Sequence, residues 1–360
     1  MPSRRAFLAG LLAAAATPRL SWADAGNPGY LSAARAPDGA YVLCGLDGEG
    51  QILFTLPLPG RGHAGAAHPT RPEAVAFARR PGTFADVINC ATGAQSARLT
   101  APADRHFYGH GAFSADGSRL YTTENDLETL DGRIGIWDAE DAYTRIGEMA
   151  SGGVGPHELC RLPGTDILVI ANGGIATHPD SGRAKLNLPV MEANLSYLDP
   201  ESGEIAQITL PSDLRLNSIR HLAIRPDGLV AAAMQWEGEE TFHPPLVLLH
   251  RRGEAAPRML SAPEPDQRRL NGYAGSIAFS GDGAGLAITS PRGGVLHRFD
   301  SATGAFSGAV EAADICGLGP RSAGFLASAG TGEITAISGQ AVTGKLTSDL
   351  QWDNHLVSLS

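Results

Sequence analysis

Tyr108–Ser118 reads YGHGAFSADGS: a histidine, a short apolar run, then a tight Asp-Gly turn. Two further stretches, GPHELCRLPGT at Gly155–Thr165 and SIRHLAIRPDG at Ser218–Gly228, repeat the arrangement. In all three the histidine stands seven residues before the turn glycine: His110 to Gly117, His157 to Gly164 and His221 to Gly228. Ser32 to Gly39 and Ser276 to Gly283 keep the same interval with serine in the histidine's place. The chain reuses one small unit and one position within it.

Around that position the unit is a short run, a glycine-bearing turn, a second apolar run, and a third strand closed by a polar turn. VINCATGAQ, GIWDAEDA, SYLDPESGE and HRFDSATGA are its clearest third-strand endings, each with β-branched or aromatic residues before a hairpin signal. Units begin near Tyr30, His63, Tyr108, Pro156, Ser218, Tyr273 and Asp314. Seven repeats of about forty to sixty residues, each with four strands, predict an all-β fold, a seven-bladed β-propeller. The first unit is one strand short, because AYVLCGLDG passes directly into QILFTLPLPG. The C-terminal WDNHLVSLS has no place in the seventh unit and is expected to complete the first, closing the ring and removing exposed sheet edges. The fourth and fifth units carry long insertions, Asn172–Asn194 and Gln235–Pro245, which belong at the rim of the ring.

The 45 glycines and 24 prolines among 360 residues suit many short strands and turns. At the N-terminus, SRRAFLAGLLAAAA is apolar only to Ala16, too short to span a bilayer and shaped like a signal-peptide core. Its Ser-Arg-Arg-x-Phe-Leu pattern resembles a twin-arginine export signal, with cleavage expected near Ala23 or Ala25. Residues 1–23 are therefore read as the signal, and 24–360 as one exported, periplasmic propeller domain. The formal charge of −10 becomes −13 once Arg4, Arg5 and Arg19 are removed. With Lys185 and Lys345 the only lysines, nothing marks a nucleic-acid partner or an anionic membrane surface. Four cysteines show no CxxC or zinc-ribbon spacing; Cys44 and Cys90 lie in adjacent units, either bridged or as two buried thiols.

The innermost strand of a propeller blade lines the central channel, so equivalent positions face one another around the axis. Imidazole is the commonest side-chain metal ligand, and converging histidines suit iron, copper or zinc. His63 occupies the corresponding place in the second unit, and Cys316 or Gly317 in the seventh. Glu158 adjoins His157, and Glu124 and Asp126 close the second strand of the third unit. Mixed histidine and carboxylate ligands favour Fe(II), whereas a Cys316 thiolate would tilt the site toward copper. Arg220 and Arg292 offer help with a carboxylate or phosphate, and with Asp126 and Glu124 they are the candidate cofactor-binding residues. Structural histidines that only satisfy neighbouring backbone are the competing reading. No GxSxG, HExxH or phosphate-binding glycine loop is present.

RGHA, FYGHG, TTEND, GPHEL, NGGIATHP, GRAKLN, IRHLA, SPRGG, DICG and WDNHL, in that order, resemble a family of exported bacterial propellers for which no reaction is established. The resemblance covers nearly the whole mature chain. Its members are typically encoded beside imelysin-type lipoproteins and a di-haem peroxidase-like protein in iron-regulated clusters. It therefore implies a role in iron uptake, with periplasmic iron-uptake proteins as partners. The family's motifs fall on His63, His110, Glu124, Asp126, His157, Glu158, Arg220, His221, Cys316 and His355. RGHA departs from the usual acidic residue after the histidine, which removes a carboxylate partner for His63. The expected metal ligands are thus His63, His110, His157 and His221, with Glu158, Cys316 and His355 as further candidates. A metal-assisted, lactonase-like hydrolase using the same site, and a docking platform built on the rim insertions, are the alternatives.

Overall fold

The computed structural model describes residues 20–79, 83–182 and 184–359. The Arg-Arg export pattern lies outside the described residues. Seven antiparallel sheets are arranged as the blades of one ring. Blades two to seven each run in simple up-and-down order. Their innermost strands are Gly62–Ala67, Arg105–Phe113, Pro156–Arg161, Asn217–Ile224, Ser276–Phe279 and Ile315–Arg321. Unit starts read from the sequence fall within a few residues of these strands.

Blade one is completed by the chain's other end. Gln351–Trp352 and Val357–Ser358 pair antiparallel with Tyr30–Arg35, in the register Ala34↔Trp352 and Tyr30↔Ser358. The tail supplies the innermost strand, which moves Tyr30–Arg35 out to second place. Ser32 therefore does not hold the axial position that its spacing suggested. It lies behind the tail, and its hydroxyl donates to the His355 carbonyl at 2.8 Å.

A blade buries both faces, so its middle strands read as continuous apolar runs. In Val230–Trp236 the residues alternate between neighbours. Ala232 and Met234 pack toward blade four with Val169 and Leu195, whereas Ala231 and Ala233 pack toward blade six with Leu286 and Ile288. One apolar cluster fills each gap between adjacent blades. The gap between blades seven and one holds Leu326 and Ile334 from one side, Tyr30 and Cys44 from the other, and Trp352 and Leu356 from the tail. All four cysteines are free thiols; Cys44 lies beside the Thr55 hydroxyl and Cys90 in the gap between blades one and two.

Both insertions sit at one mouth of the channel. Asn187 fastens the fourth-blade insertion to its own base, accepting from the Ala176 amide and donating to the Gly174 carbonyl, each at 2.8 Å. Lys185 then ion-pairs with Glu237 of the fifth-blade insertion, tying the two together. At the other end of the chain, Trp22 and Ala25 lie in a short 3-10 turn. The Trp22 indole donates to the His68 carbonyl at 2.8 Å, so the residues around the expected cleavage point pack on blade two.

Deleting residues 351–360 removes two buried anchors, Trp352 and Leu356, each worth about 1.5 to 3 kcal/mol, and bares the backbone edge of Tyr30–Arg35. The shortened chain is expected to lose its cooperative thermal transition and to aggregate. A melt within a few degrees of the full chain would show that the tail does not close the ring.

Candidate metal centre at the propeller axis

Five histidine rings meet at the axis, one from each of blades one to five. His110 stands against all four others, with ring centroids 5.0 Å from His63 and His157, 4.8 Å from His355 and 6.0 Å from His221. His63–His355, His221–His355, His157–His221 and His63–His157 are spaced 4.6, 4.8, 4.9 and 5.8 Å. A metal–imidazole bond of about 2.1 Å puts the ring centre about 3.2 Å from the ion. Two rings at 90–110° on one ion are then about 4.5–5.2 Å apart. Most of the observed spacings fall in this range.

A backbone device aims the rings. The inner strands of blades two, four, five and seven each carry one residue more than their partner and that of blade three carries two more, and the irregularity falls at or beside the axial residue. Such bulges redirect a side chain that regular pleating would send into the gap between blades. The ladders also show that the seven-residue interval hides two levels. His110 and His221 stand three residues before the last paired residue of their strands, Phe113 and Ile224. His63 and His157 stand four before theirs, Ala67 and Arg161. In blade four the turn glycine comes one residue early, so counting from Gly164 equates positions that the sheet does not. Accordingly His110 and His221 are buried, while His63 and His157 are partly open to the cavity above.

Glu158 occupies the lower level in blade four and stands behind two of the rings. Its Oε2 is 3.1 Å from His221 Nδ1 and accepts from the Leu222 amide at 3.0 Å, and its Oε1 is 3.8 Å from His110 Nδ1. An ionised Glu158 accepts the Nδ1 proton and leaves the Nε2 lone pair for the centre, the usual carboxylate support of a metal-bound histidine. His110 Nε2 and His355 Nε2 are buried with no hydrogen-bond partner among the described residues, as ligand atoms awaiting a cation would be. Ligand atoms of His63, His110 and His355 lie within 4.8 Å of one another, as do those of His110, His157 and His221. These histidine groups could hold a metal ion.

Burial keeps the rings neutral, the form that coordinates. Desolvation lowers all five, most strongly assisted by the neighbouring rings for His63, by Arg220 for His157, and by His221 for His355. Burial with Arg220 and Arg79 brings His221 down to about 3. For His110 the Glu158 charge opposes the burial without cancelling it, and burial in turn raises Glu158.

The other sequence candidates are placed elsewhere. Glu124 is fully buried within blade three, bonded to Arg145 at 2.7 Å and Thr122 at 2.8 Å on the side away from the axis. Asp126 caps a turn through the Glu128 and Thr129 amides and faces Arg105 and Arg133. Both carboxylates pair with arginines and lie outside the two histidine groups. Cys316 lies on the blade-seven bulge as a buried thiol pushed up to about 12, outside both histidine groups. Arg292 stacks on Tyr273 at 4.4 Å, in a neighbouring cavity shared with Trp236 and Phe242. Arg220 does reach the channel mouth.

Above the rings lies a cavity of about 520 Å³, lined by His63, His157 and His221 below and by Arg79, Lys185, Arg220, Tyr108 and Tyr273 on its walls. Arg79 was not anticipated from the sequence. It follows the second strand of blade two and is held by Asp353 at 3.1 Å, which also binds Arg61 at 2.5 Å. The only sequence signal was that RGHA and WDNHL each place a charged residue two positions before a histidine, Arg61 before His63 and Asp353 before His355.

The histidine pKa values set the acid response of the metal-free protein. Unfolded histidines take up protons below about pH 6.5, whereas the native rings do not until far lower. Stability contributed by the cluster is therefore full above pH 6.5 and is lost as pH falls toward about 3. Glu158, with its pKa raised, acts in the opposite sense but is one group against five. Melting temperature is expected to fall steadily from pH 7 to pH 4, and less steeply in a His110→Ala/His157→Ala variant. Parallel curves for the two proteins would rule this out.

Among curated proteins none matches the sequence. Similar solved structures include hydrazine synthase of Kuenenia stuttgartiensis, with a TM-score of 0.63, 13% identity, and coverage of 86% of this chain and 96% of that one. A chain of the mitotic checkpoint complex aligns with a TM-score of 0.55 and 15% identity over 79% of this chain and 76% of that one. BamB of Moraxella catarrhalis aligns with a TM-score of 0.55 and 12% identity over 88% and 82%. At these identities the likeness is one of fold alone. A family model, described as a protein of unknown function (DUF1513), matches residues 56–359, from the last strand of blade one through the tail that closes it, and the chain belongs to that family.

Proposed function

We propose that this is an exported propeller that binds one divalent transition-metal ion at its axis, iron first and copper or zinc after it, for metal uptake or handling. The observation that carries the reading is the convergence of five neutral imidazoles from five blades, with Nε2 of His110 and His355 buried and without a partner among the described residues. Two groups of three imidazoles sharing His110 suit iron, copper or zinc, and a protonated Cys316 outside both removes the soft ligand that favours copper. Fe(II) is placed first because it uses few imidazoles together with oxygen ligands at open positions. The Arg-Arg pattern at Arg4 and Arg5 and the family resemblance support export and an iron-linked role, with periplasmic iron-uptake proteins as partners.

After anaerobic loading with Fe(II), Cu(II) or Zn(II) and dialysis, elemental analysis is expected to find one ion per chain, with iron retained. The His110→Ala/His157→Ala variant, checked for a native melt, should retain less than about a tenth of that. Equal, near-zero metal in both proteins would end the proposal. Glu158→Gln keeps every ring but removes the charge behind two of them, and should weaken metal binding by about 10- to 100-fold.

The cavity of about 520 Å³ over the rings also favours a second reading, a metal-assisted hydrolase in which the ion polarises a carbonyl. Turnover of simple lactones by the loaded protein, abolished in the double histidine variant, would support it; inactivity across a lactone series would leave binding alone.

A further inference from the structure

The cavity wall has a charge that the rest of the chain does not. The protein carries a formal −10, yet among the described residues the wall contains Arg79, Lys185 and Arg220 and no carboxylate. The acids lie behind the wall and are shared. Asp353 binds both Arg61 and Arg79, and Glu237 faces both Lys185 and Arg220. Three cations line the wall while the two carboxylates that pair with them stay behind it, so the wall presents positive groups to whatever enters. In a partly enclosed site such a wall attracts an anion.

We propose that this cavity binds a small polycarboxylate, one carboxylate directed to the axial metal and the others held by Arg79, Arg220 and Lys185. The proposal rests on the metal reading for the first carboxylate only. The cations come from three separate segments: the edge of blade two, the inner strand of blade five and the blade-four insertion. That arrangement suits charge distributed along a carbon chain better than one compact tetrahedral ion. Guanidinium forks match carboxylates in two-point contacts, and Tyr108, Ile175 and Tyr273 offer apolar wall to a carbon skeleton. A volume of about 520 Å³ limits the ligand to a small molecule. Lys185 and Glu237 join the two insertions directly at the entrance, so this pair sets how much charge the incoming anion meets.

The test is calorimetric titration with citrate, beside inorganic phosphate and glycerol, on metal-free and metal-loaded full-length chain. Metal content is measured before and after each titration, since citrate is itself a chelator. Citrate is expected to bind both forms, more tightly the loaded one, and glycerol neither. Lys185→Gln should weaken citrate about tenfold at equal metal content, and Glu237→Gln, which removes the carboxylate facing Lys185 and Arg220, should strengthen it. Phosphate binding as tightly as citrate, or citrate binding that neither variant changes, overturns the assignment. A chain that holds metal but not citrate disproves this proposal and spares the metal reading. A chain that takes no metal yet binds citrate through Lys185 does the reverse.

Discussion

Everything at the axis depends on the pairing of two short C-terminal segments, Gln351–Trp352 and Val357–Ser358, with the first strand of the chain. Blade one has only three strands of its own, and the gap between blades seven and one is filled only when Trp352 and Leu356 arrive from the tail. Closure is a global constraint: each inter-blade cluster is complete only if all seven blades keep their angular places. The axial rings inherit their spacing from that constraint, because each is mounted on a different blade and no two share a strand.

The repeat architecture was legible because it is written in local chemistry. Hairpin turns such as Asp300–Gly304 and the alternation preceding them recur at intervals long enough to count. The site was legible in part. A fixed distance to a turn glycine picked out His110, His157 and His221, and all three meet. The same count misplaced Ser32, because strand order within blade one is decided by the far end of the chain. It also merged the two levels of the cluster, because a turn whose glycine comes one residue early compensates for a ligand one position higher. Glu124 and Asp126 looked available only because their partners, Arg145 on the outermost strand and Arg105 on the innermost, are set by sheet register. Carboxylates are easy to see in a sequence; their counter-ions across a sheet are not.

Charge is organised here by separation. At the channel mouth Asp353 and Glu237 each hold two cations in place without lining the cavity. After burial itself, the same cations help to hold the nearby histidines low, so the wall contributes to keeping the floor neutral. Binding of a metal below and an anion above would thereby be linked through Arg79 and Arg220.

The tail also has a kinetic meaning. His355 sits between the two short strand segments that latch blade one, and its ring lies against His63, His110 and His221 from three other blades. A cation held by these rings would fasten the last residues of the chain to its middle, turning a zip of few hydrogen bonds into a chelated clasp. Ligand binding to the native state alone raises its stability by mass action. Here that gain would fall on the one seam where the ring can open, so an occupied protein would resist unravelling from its end.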